Sequence, residues 1–170
     1  MNAIDIEQLK IVLHPDPVLR YIAEGVDEVT PEICRLAEKM LELMHDAPGV
    51  GLAAPQVGVS LRLFVVNATG EVEDDRVFIN PKLMDATEEM DAYEEGCLSL
   101  PGVTCTIKRP RGITIEAMGL DGELFRLRSE EMPAKIWQHE NDHLDGKLII
   151  DKMSLADRVA NRKAIKALLG

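Results

Sequence analysis

The sequence has 170 residues, of which 46% are apolar and 4% aromatic, and its formal net charge is −11. The length suits a single domain spanning residues 1–170. An acidic surface repels phosphate backbones, which argues against DNA binding. The sequence contains no run of about 18 uninterrupted apolar residues, so no membrane span is predicted.

The N-terminus has no basic region followed by an apolar run, so no secretory signal is predicted. The three cysteines, Cys34, Cys97 and Cys105, are odd in number and widely spaced, unlike a disulfide framework. Reduced thiols indicate a cytoplasmic protein. A mature organellar form is the alternative.

The first strong helix signal covers residues 30–45. Thr30 can cap this helix, and Pro31 suits its first position. Apolar residues then fall on one face at helical spacing. The loop that follows, residues 49–58, is rich in glycine but lacks the Gly-Lys-Ser/Thr ending of a phosphate-binding loop.

Segments rich in β-forming residues fill the middle of the chain. The predicted strands cover residues 61–67, 77–80, 103–107, 113–118 and 123–128. Pro81 is expected to end the second strand, and Asp121-Gly122 predicts a hairpin turn between the last two. Neighbouring hairpin strands flanked by helices predict an α+β fold with mainly antiparallel sheet.

Two further helices are predicted towards the C-terminus. One begins near residues 129–133, with Ser129 as its cap and Pro133 in its first turn, and stops at Gly146. The last covers residues 154–169. Residues 152–170 contain five basic residues and one acid, a net of +4 that leaves −15 on the rest. This charge is typical of a solvated terminal helix or of a docking element for an acidic partner.

The second of these helices contains the run His139-Glu140-x-x-His143. The four-residue spacing places both imidazoles on one helix face, where they can bind one divalent metal. Glu140 beside them can take a proton from a metal-bound water. The motif is typical of zinc hydrolases, and a helix carrying two structural histidines is the alternative.

A hydrolytic metal site needs a third protein ligand. Asp145, Asp151 and Asp157 lie downstream, but Asp145 is two positions past His143 and points away from its helix face. Cys97 is the better candidate, because a thiolate binds zinc or ferrous iron strongly. A small buried apolar residue is the alternative for a lone cysteine.

Three segments taken together resemble the peptide deformylases. They are Gly-x-Gly-Leu-Ala-Ala-Pro-Gln at 49–56, Glu-Gly-Cys-Leu-Ser at 95–99 and Gln-His-Glu-x-Asp-His at 138–143. The resemblance covers essentially the whole chain as one catalytic domain. It implies antiparallel β-sheets wrapped around a central helix that carries the two histidines, with additional N-terminal and C-terminal helices.

The resemblance also implies an activity, removal of the N-formyl group from the N-terminal formylmethionine of newly synthesised polypeptides with release of formate. By motif position, the metal ligands are Cys97, His139 and His143. Ferrous iron is the usual native metal, and zinc, nickel or cobalt can replace it.

The family mechanism implies further roles. Metal-bound hydroxide attacks the formyl carbon, with Glu140 as general acid/base. The oxyanion is held by the metal, by the Gln56 amide and by the backbone N–H of Leu98. The extended substrate is expected beside the segments around Val50, Gly51 and Gly96. The expected walls of the methionine pocket are Val50, Tyr93, Met132 and Ile136, and Arg109 is expected to pair with Glu95 unless it is a surface cation.

Two other functions stay open at this point: a zinc endopeptidase built on the same motif, and a non-catalytic binding protein. Pro133, Lys135 and Trp137 depart from the usual family pattern, and the last two are expected to alter the mouth of the pocket. The basic segment 152–170 is a candidate ribosome-docking element. The expected structural residues are His14, His45, Cys34 and Cys105.

Overall fold

A computed structural model describes residues 3–170, which form two antiparallel sheets and three α-helices. The helices are α1 (Pro31–Asp46), α2 (Met132–Leu144) and α3 (Leu155–Leu168). The strands are β1 (Gly51–Ala53), β2 (Leu63–Val66), β3 (Arg76–Met84), β4 (Met90–Gly96), β5 (Thr104–Pro110), β6 (Ile113–Met118) and β7 (Leu124–Ser129).

The larger sheet has the strand order β1-β2-β3-β6-β7, so β1 lies at one of its edges. The smaller sheet is the ribbon β4-β5. Helix α2 contacts β1, β2, β6 and β7 and therefore lies centrally between the elements. The predicted α+β class, with antiparallel sheets around a central helix, is confirmed.

Helix α1 forms for the reasons visible in its sequence. The Thr30 hydroxyl accepts a hydrogen bond from the Ile33 N–H at 3.3 Å, a cap that contributes about 1 kcal/mol. The buried side chains Leu36, Met40 and Met44 pack against the larger sheet. Both the start and the apolar face agree with the prediction.

The strand predicted to stop at Pro81 was assigned wrongly, because β3 continues to Met84. Its register against β6 shifts between Ile79 and Lys82, so Pro81 lies in a bulge, where no ladder donor is needed. Asn80 in this bulge has φ +51°. Its side-chain amide pairs with both the N–H and the C=O of Val26, each at 2.8 Å.

Two strands formed where none was predicted. Residues 51–53, expected as loop, pair with β2 as the edge strand β1. Residues 90–96 form β4, which pairs along its whole length with residues 104–110 of β5. The polar sequence of β4 gives little alternation, so its strand character comes from the partner strand rather than from its own pattern.

The predicted cap of α2 was also wrong. Ser129 is the last residue of β7, and Glu131 occupies the N-cap position without a side-chain cap. Pro133 lies in the first turn, as expected. The helix ends before Gly146, whose φ is +70° and where a Cβ would lie 2.5 Å from the Arg20 carbonyl oxygen, so only glycine fits there.

Helix α3 confirms the predicted C-terminal helix and is capped by Ser154, whose hydroxyl accepts from the Asp157 N–H at 3.1 Å. Its buried residue Asn161 accepts from the Thr104 N–H at 3.1 Å and donates to the Thr104 C=O at 2.7 Å. The helix is thereby fixed to β5 of the smaller sheet. Within residues 3–170, no helix combines the length and apolar character that crossing a membrane requires.

Candidate metal centre

The three predicted metal ligands lie together in the folded chain. His139 and His143 are one turn apart on α2, with their Nε2 atoms separated by 3.3 Å. The Sγ of Cys97, which directly follows β4, lies 3.4 Å from His143 Nε2. All three ligand atoms are within 4.8 Å of one another.

These distances fit a shared cation. A tetrahedral metal bonded to nitrogen at ~2.0–2.1 Å and to sulfur at ~2.3 Å holds its ligand atoms ~3.3–3.6 Å apart. The separations of 3.3 Å and 3.4 Å lie in this range. Two imidazoles and a thiol are also the donor types that zinc and ferrous iron favour, so the residues fit one divalent metal.

Glu95 orients His139 from the side opposite the cluster. The His139 Nδ1–H donates to Glu95 Oε1 at 2.8 Å, which turns Nε2 towards Cys97 and His143. Arg109 donates twice to the same carboxylate, at 2.5 Å and 2.8 Å, so the expected pairing of Arg109 with Glu95 is confirmed. A carboxylate behind a metal-binding histidine is the usual way of fixing its ring orientation.

Burial and hydrogen bonding set the charges of these groups. Burial opposes ionisation of Glu95, but hydrogen bonds from Arg109 and His139 outweigh it and lower the pKa of Glu95 to about 2. Burial also opposes protonation of His139, yet hydrogen bonds to Cys97 and Glu95 raise its pKa to about 10. Burial lowers the pKa of His143.

Glu140 lies against β1 at the cluster. A Cβ on Gly51 would lie 2.5 Å from Glu140 Oε1 and 2.9 Å from its Cγ, so the glycine is what allows the carboxylate to approach the strand. Glu140 Oε2 is buried and has no hydrogen-bond partner among residues 3–170. Burial raises the pKa of the Glu140 carboxyl to about 7.

Gln56 is held with its amide nitrogen facing the cluster. Its Oε1 accepts from the Ala53 N–H at 3.0 Å, which fixes the orientation of the amide. Its Nε2 donates to Ser99 Oγ at 3.2 Å and to Cys97 Sγ at 3.5 Å. Gln56 is therefore a buried donor beside the thiol, as its place in the sequence motif predicts.

A cavity of about 440 Å³ opens beside the cluster, between the edge strand β1 and the strand β4. Every residue predicted to bind substrate lines it: Val50, Gly51, Tyr93, Gly96, Met132 and Ile136. Gln56, Cys97, Leu98, His139 and Glu140 line it as well. The sequence motifs thus converge on one pocket.

Part of the cavity wall was not predicted. Residues 100–104, from the end of the Cys97 turn into β5, line the pocket on one side. The Pro101-Gly102 pair next to the cysteine motif was the available signal, since it marks a tight turn that holds this segment near Cys97.

Other residues considered from the sequence lie elsewhere or act structurally. Trp137 was expected at the pocket mouth but is buried in the core, with its ring 6.0 Å from that of Phe78. Lys135 does line the cavity, and its amine donates to Asp91 and to the Arg111 carbonyl. The downstream acids are engaged outside the metal cluster: Asp145 with Arg62, Asp151 with Arg20 and Asp157 with Ser154.

The remaining histidines and cysteines play no part in the cluster. His45 Nε2 pairs with Asp75 Oδ1 at 2.8 Å. The backbone N–H of His14 donates to the Ser99 carbonyl. Cys34 lies on α1, and Cys105 is buried in β5.

Comparison with known proteins agrees with this site. The family model described as Polypeptide deformylase matches residues 8–159. A peptide deformylase of Acinetobacter baumannii is 44% identical over 95% of this chain and 92% of its own length. A peptide deformylase of Rhizobium meliloti is 45% identical over 87% of this chain and 86% of its own length.

Solved structures give the same result. A crystal structure of peptide deformylase from Plasmodium falciparum superposes with a TM-score of 0.91 and 36% identity, covering 94% of this chain and 95% of the other. Sequence, fold and site residues all point to one family. The chain therefore belongs to the polypeptide deformylase family, hydrolases that remove the N-formyl group from newly synthesised polypeptides.

Proposed function

We propose that Cys97, His139 and His143 hold one divalent metal at which this chain hydrolyses the formyl amide of nascent peptides. The observation that carries the proposal is the convergence of the three ligand atoms at the cavity between β1 and β4. His143 Nε2 lies 3.3 Å from His139 Nε2 and 3.4 Å from Cys97 Sγ, and all three atoms are within 4.8 Å of one another. Ferrous iron is the proposed native metal, and zinc, nickel or cobalt suit the same donors. When bound, the metal supplies a Lewis acid that acidifies water and polarises a carbonyl.

The substrate backbone binds as an added strand in this cleft. Val50 and Gly51 at the edge of one sheet and Gly96 at the end of β4 all line the cavity. Edge strands offer backbone N–H and C=O groups to an extended peptide. Recognition through the backbone suits an enzyme whose substrates share a formylated N-terminus and differ in the sequence that follows.

The methionine side chain enters the apolar part of the cavity. Val50, Tyr93, Met132 and Ile136 provide its walls. The Tyr93 hydroxyl donates to Met132 Sδ at 2.9 Å, and this contact joins β4 to the start of α2 across one side of the cavity. Lys135 adds its aliphatic stem, because its ammonium is engaged by Asp91 and the Arg111 carbonyl.

Glu140 transfers the proton, and Gln56 stabilises the negative charge that develops on the formyl oxygen. Glu140 Oε2, buried and without a protein partner among residues 3–170, takes the proton of the attacking water and passes it to the leaving amine nitrogen. Gln56 Nε2 donates to the formyl oxygen in place of its long 3.5 Å contact with Cys97. The N–H of Leu98, next in the chain to Cys97, is the second donor.

An assay on metal-loaded protein tests the activity directly. Protein purified without oxygen is expected to release formate from formyl-Met-Ala-Ser and to carry about one metal ion per chain. The same peptide without the formyl group is the control. Cleavage of an internal peptide bond without formate release would indicate the endopeptidase, and no turnover by fully loaded protein would indicate a binding protein.

Gly51→Ala tests the placement of Glu140. The added methyl group collides with the Glu140 carboxylate, which must shift away from the cluster. A displacement of about 1 Å at a reacting group can cost about 10²-fold in rate, so we expect kcat for deformylation to fall by about 10²-fold. Metal content should stay constant, since the three atoms nearest the new methyl group all belong to Glu140, which is not a metal ligand.

Gly25→Ala is the matched control for this substitution. A Cβ at Gly25 meets one atom, Asn80 Oδ1, at an ordinary 3.6 Å. This variant is expected to keep the kcat of the parent. Equal kcat values for the Gly51→Ala and Gly25→Ala variants would contradict the proposed approach of Glu140 to β1.

We further propose that the basic surface of α3 docks on the ribosome, where nascent chains emerge. Four basic residues of this helix are exposed: Arg158, Arg162, Lys163 and Lys166. Clustered lysine and arginine side chains bind the phosphate backbone of nucleic acids. Formylated chains arise where bacterial-type ribosomes work, so the proposed compartment is the bacterial cytoplasm, with a mature organellar form as the alternative.

The docking proposal is tested by changing charge alone. Truncating the helix would remove Asn161 and its two bonds to β5, so the four exposed cations are replaced together by glutamine instead. We expect the variant to co-sediment less with ribosomes at low salt while keeping its kcat on the free peptide. Unchanged co-sedimentation would show that the basic surface has another role.

A further inference from the structure

The ion pair between Glu95 and Arg109, which lies behind His139, is part of a longer series of charged contacts. Arg109 donates to Glu95 and also, through Nη1, to Asp142 Oδ2 at 2.9 Å. Lys152 Nζ lies 2.8 Å from the same Asp142 oxygen. A continuous series of contacts therefore leads from the imidazole of His139 to Lys152.

The groups in this series become more exposed along its length. The side chains of Arg109 and Glu95 are 3% and 5% exposed, that of Asp142 is 18% exposed and that of Lys152 is 36% exposed. Glu95 and Asp142 together place two carboxylates around the single guanidinium of Arg109. Lys152 supplies a second positive charge beside Asp142, in addition to that of Arg109.

The position of Lys152 makes it a fixed partner. It follows the 3₁₀ turn Ile149–Asp151 and precedes Met153, whose side chain is buried with Leu148 and Ile149 in one apolar cluster. Asp142 lies on α2 next to His143 and three residues after His139. Lys152 therefore joins the segment leading into α3 to the helix that carries both histidines.

We propose that Lys152 is a positioning residue for the metal centre. Its ammonium holds Asp142, and Asp142 and Glu95 together fix the planar guanidinium of Arg109. Arg109 in turn keeps the Glu95 carboxylate turned towards His139 Nδ1. Loss of the ammonium leaves Arg109 shared by two carboxylates, so Asp142 draws the guanidinium away from Glu95 and loosens the His139 ring.

The expected effect is on retention of the metal. Replacing a direct partner of a metal-binding residue typically costs about 10- to 100-fold in metal affinity. Lys152 acts through three intervening side chains, so we expect the smaller change of about three- to tenfold in the rate of metal release. Lys152→Met removes the ammonium while keeping a long apolar stem.

The experiment measures the release of cobalt(II) from the loaded full-length protein into excess chelator. Lys152→Met should release cobalt faster and shift its visible absorption bands, which report on the ligand geometry. Lys152→Arg should restore both, because a guanidinium can also reach Asp142. Lys147→Met, which removes the same charge from an exposed residue of the neighbouring loop, should behave as the parent protein.

The outcomes separate this inference from the metal site on which it rests. Failure of the parent protein to bind cobalt would overturn the proposed metal centre itself. Binding by the parent, with equal release rates and spectra for Lys152→Met and Lys147→Met, would overturn the role of Lys152 alone. If thermal denaturation shows that Lys152→Met is poorly folded, the cobalt release rate and spectrum of Lys152→Gln are compared with those of Lys147→Met instead.

Discussion

Replacing Glu140 with glutamine is expected to lower the kcat of deformylation by about 10²- to 10⁴-fold, the usual contribution of a general acid/base. Glutamine has nearly the same shape and preserves the packing against Gly51, but it cannot accept a proton at the Oε2 position. The metal ligands do not include Glu140, so metal content should match that of the parent. Steady-state assays with formyl-Met-Ala-Ser and elemental analysis of the same sample provide the measurement.

Glu131→Gln is the control for this change. Glu131 is an exposed glutamate that directly precedes α2 at its N-cap position, and its side chain makes no capping hydrogen bond. It should leave kcat unchanged. A Glu140→Gln variant that keeps its metal and turns over within about threefold of the parent rate would show that Glu140 takes no part in the proton-transfer step.

The elements predicted best from the sequence are those whose signals are local. Helix α1 begins at a threonine cap followed by proline and shows a regular apolar face, and the structure reproduces both. Strand β6 matches its predicted range, residues 113–118. In these segments the intrinsic preference of the residues and their burial in the fold agree, so a short window of sequence is sufficient.

The elements missed are those that depend on distant partners. Strand β4 is polar along most of its length and is a strand because β5 pairs with it. The continuation of β3 past Pro81 depends on the bulge at Asn80, which is held by the backbone of Val26, 54 residues away. Such long-range contacts leave no periodicity in the strand itself, so the local rule that proline ends a strand gave the wrong answer.

The candidate site divides in the same way. The helical spacing of His139 and His143 is a local geometric fact, and motif position placed Cys97 beside them, where the structure also has it. The charged residues behind the metal ligands could not be predicted in this way. Asp142 and Lys152 come together because the chain turns back after α2, and neither residue type nor spacing shows that pairing in advance.

Replacing Cys97 with alanine is expected to lower metal affinity by at least about 100-fold, because losing a ligand costs more than the ~10- to 100-fold of losing an outer partner. The two imidazoles that remain offer half of a four-coordinate site. Deformylation should fall with metal occupancy and recover in part at high metal concentration. Elemental analysis after gel filtration, together with titration against a competing chelator, measures the change.

Cys34→Ala controls for removal of a thiol, since Cys34 lies on α1, outside the metal cluster. It should bind metal as the parent does. Full occupancy in the Cys97→Ala variant would refute the ligand assignment. Reduced occupancy in Cys97→Ala with full occupancy in Glu140→Gln would separate holding the metal from moving the proton. It would also favour deformylation over proteolysis at this helix, because the thiolate ligand that follows β4 is what distinguishes the site from the histidine pair alone.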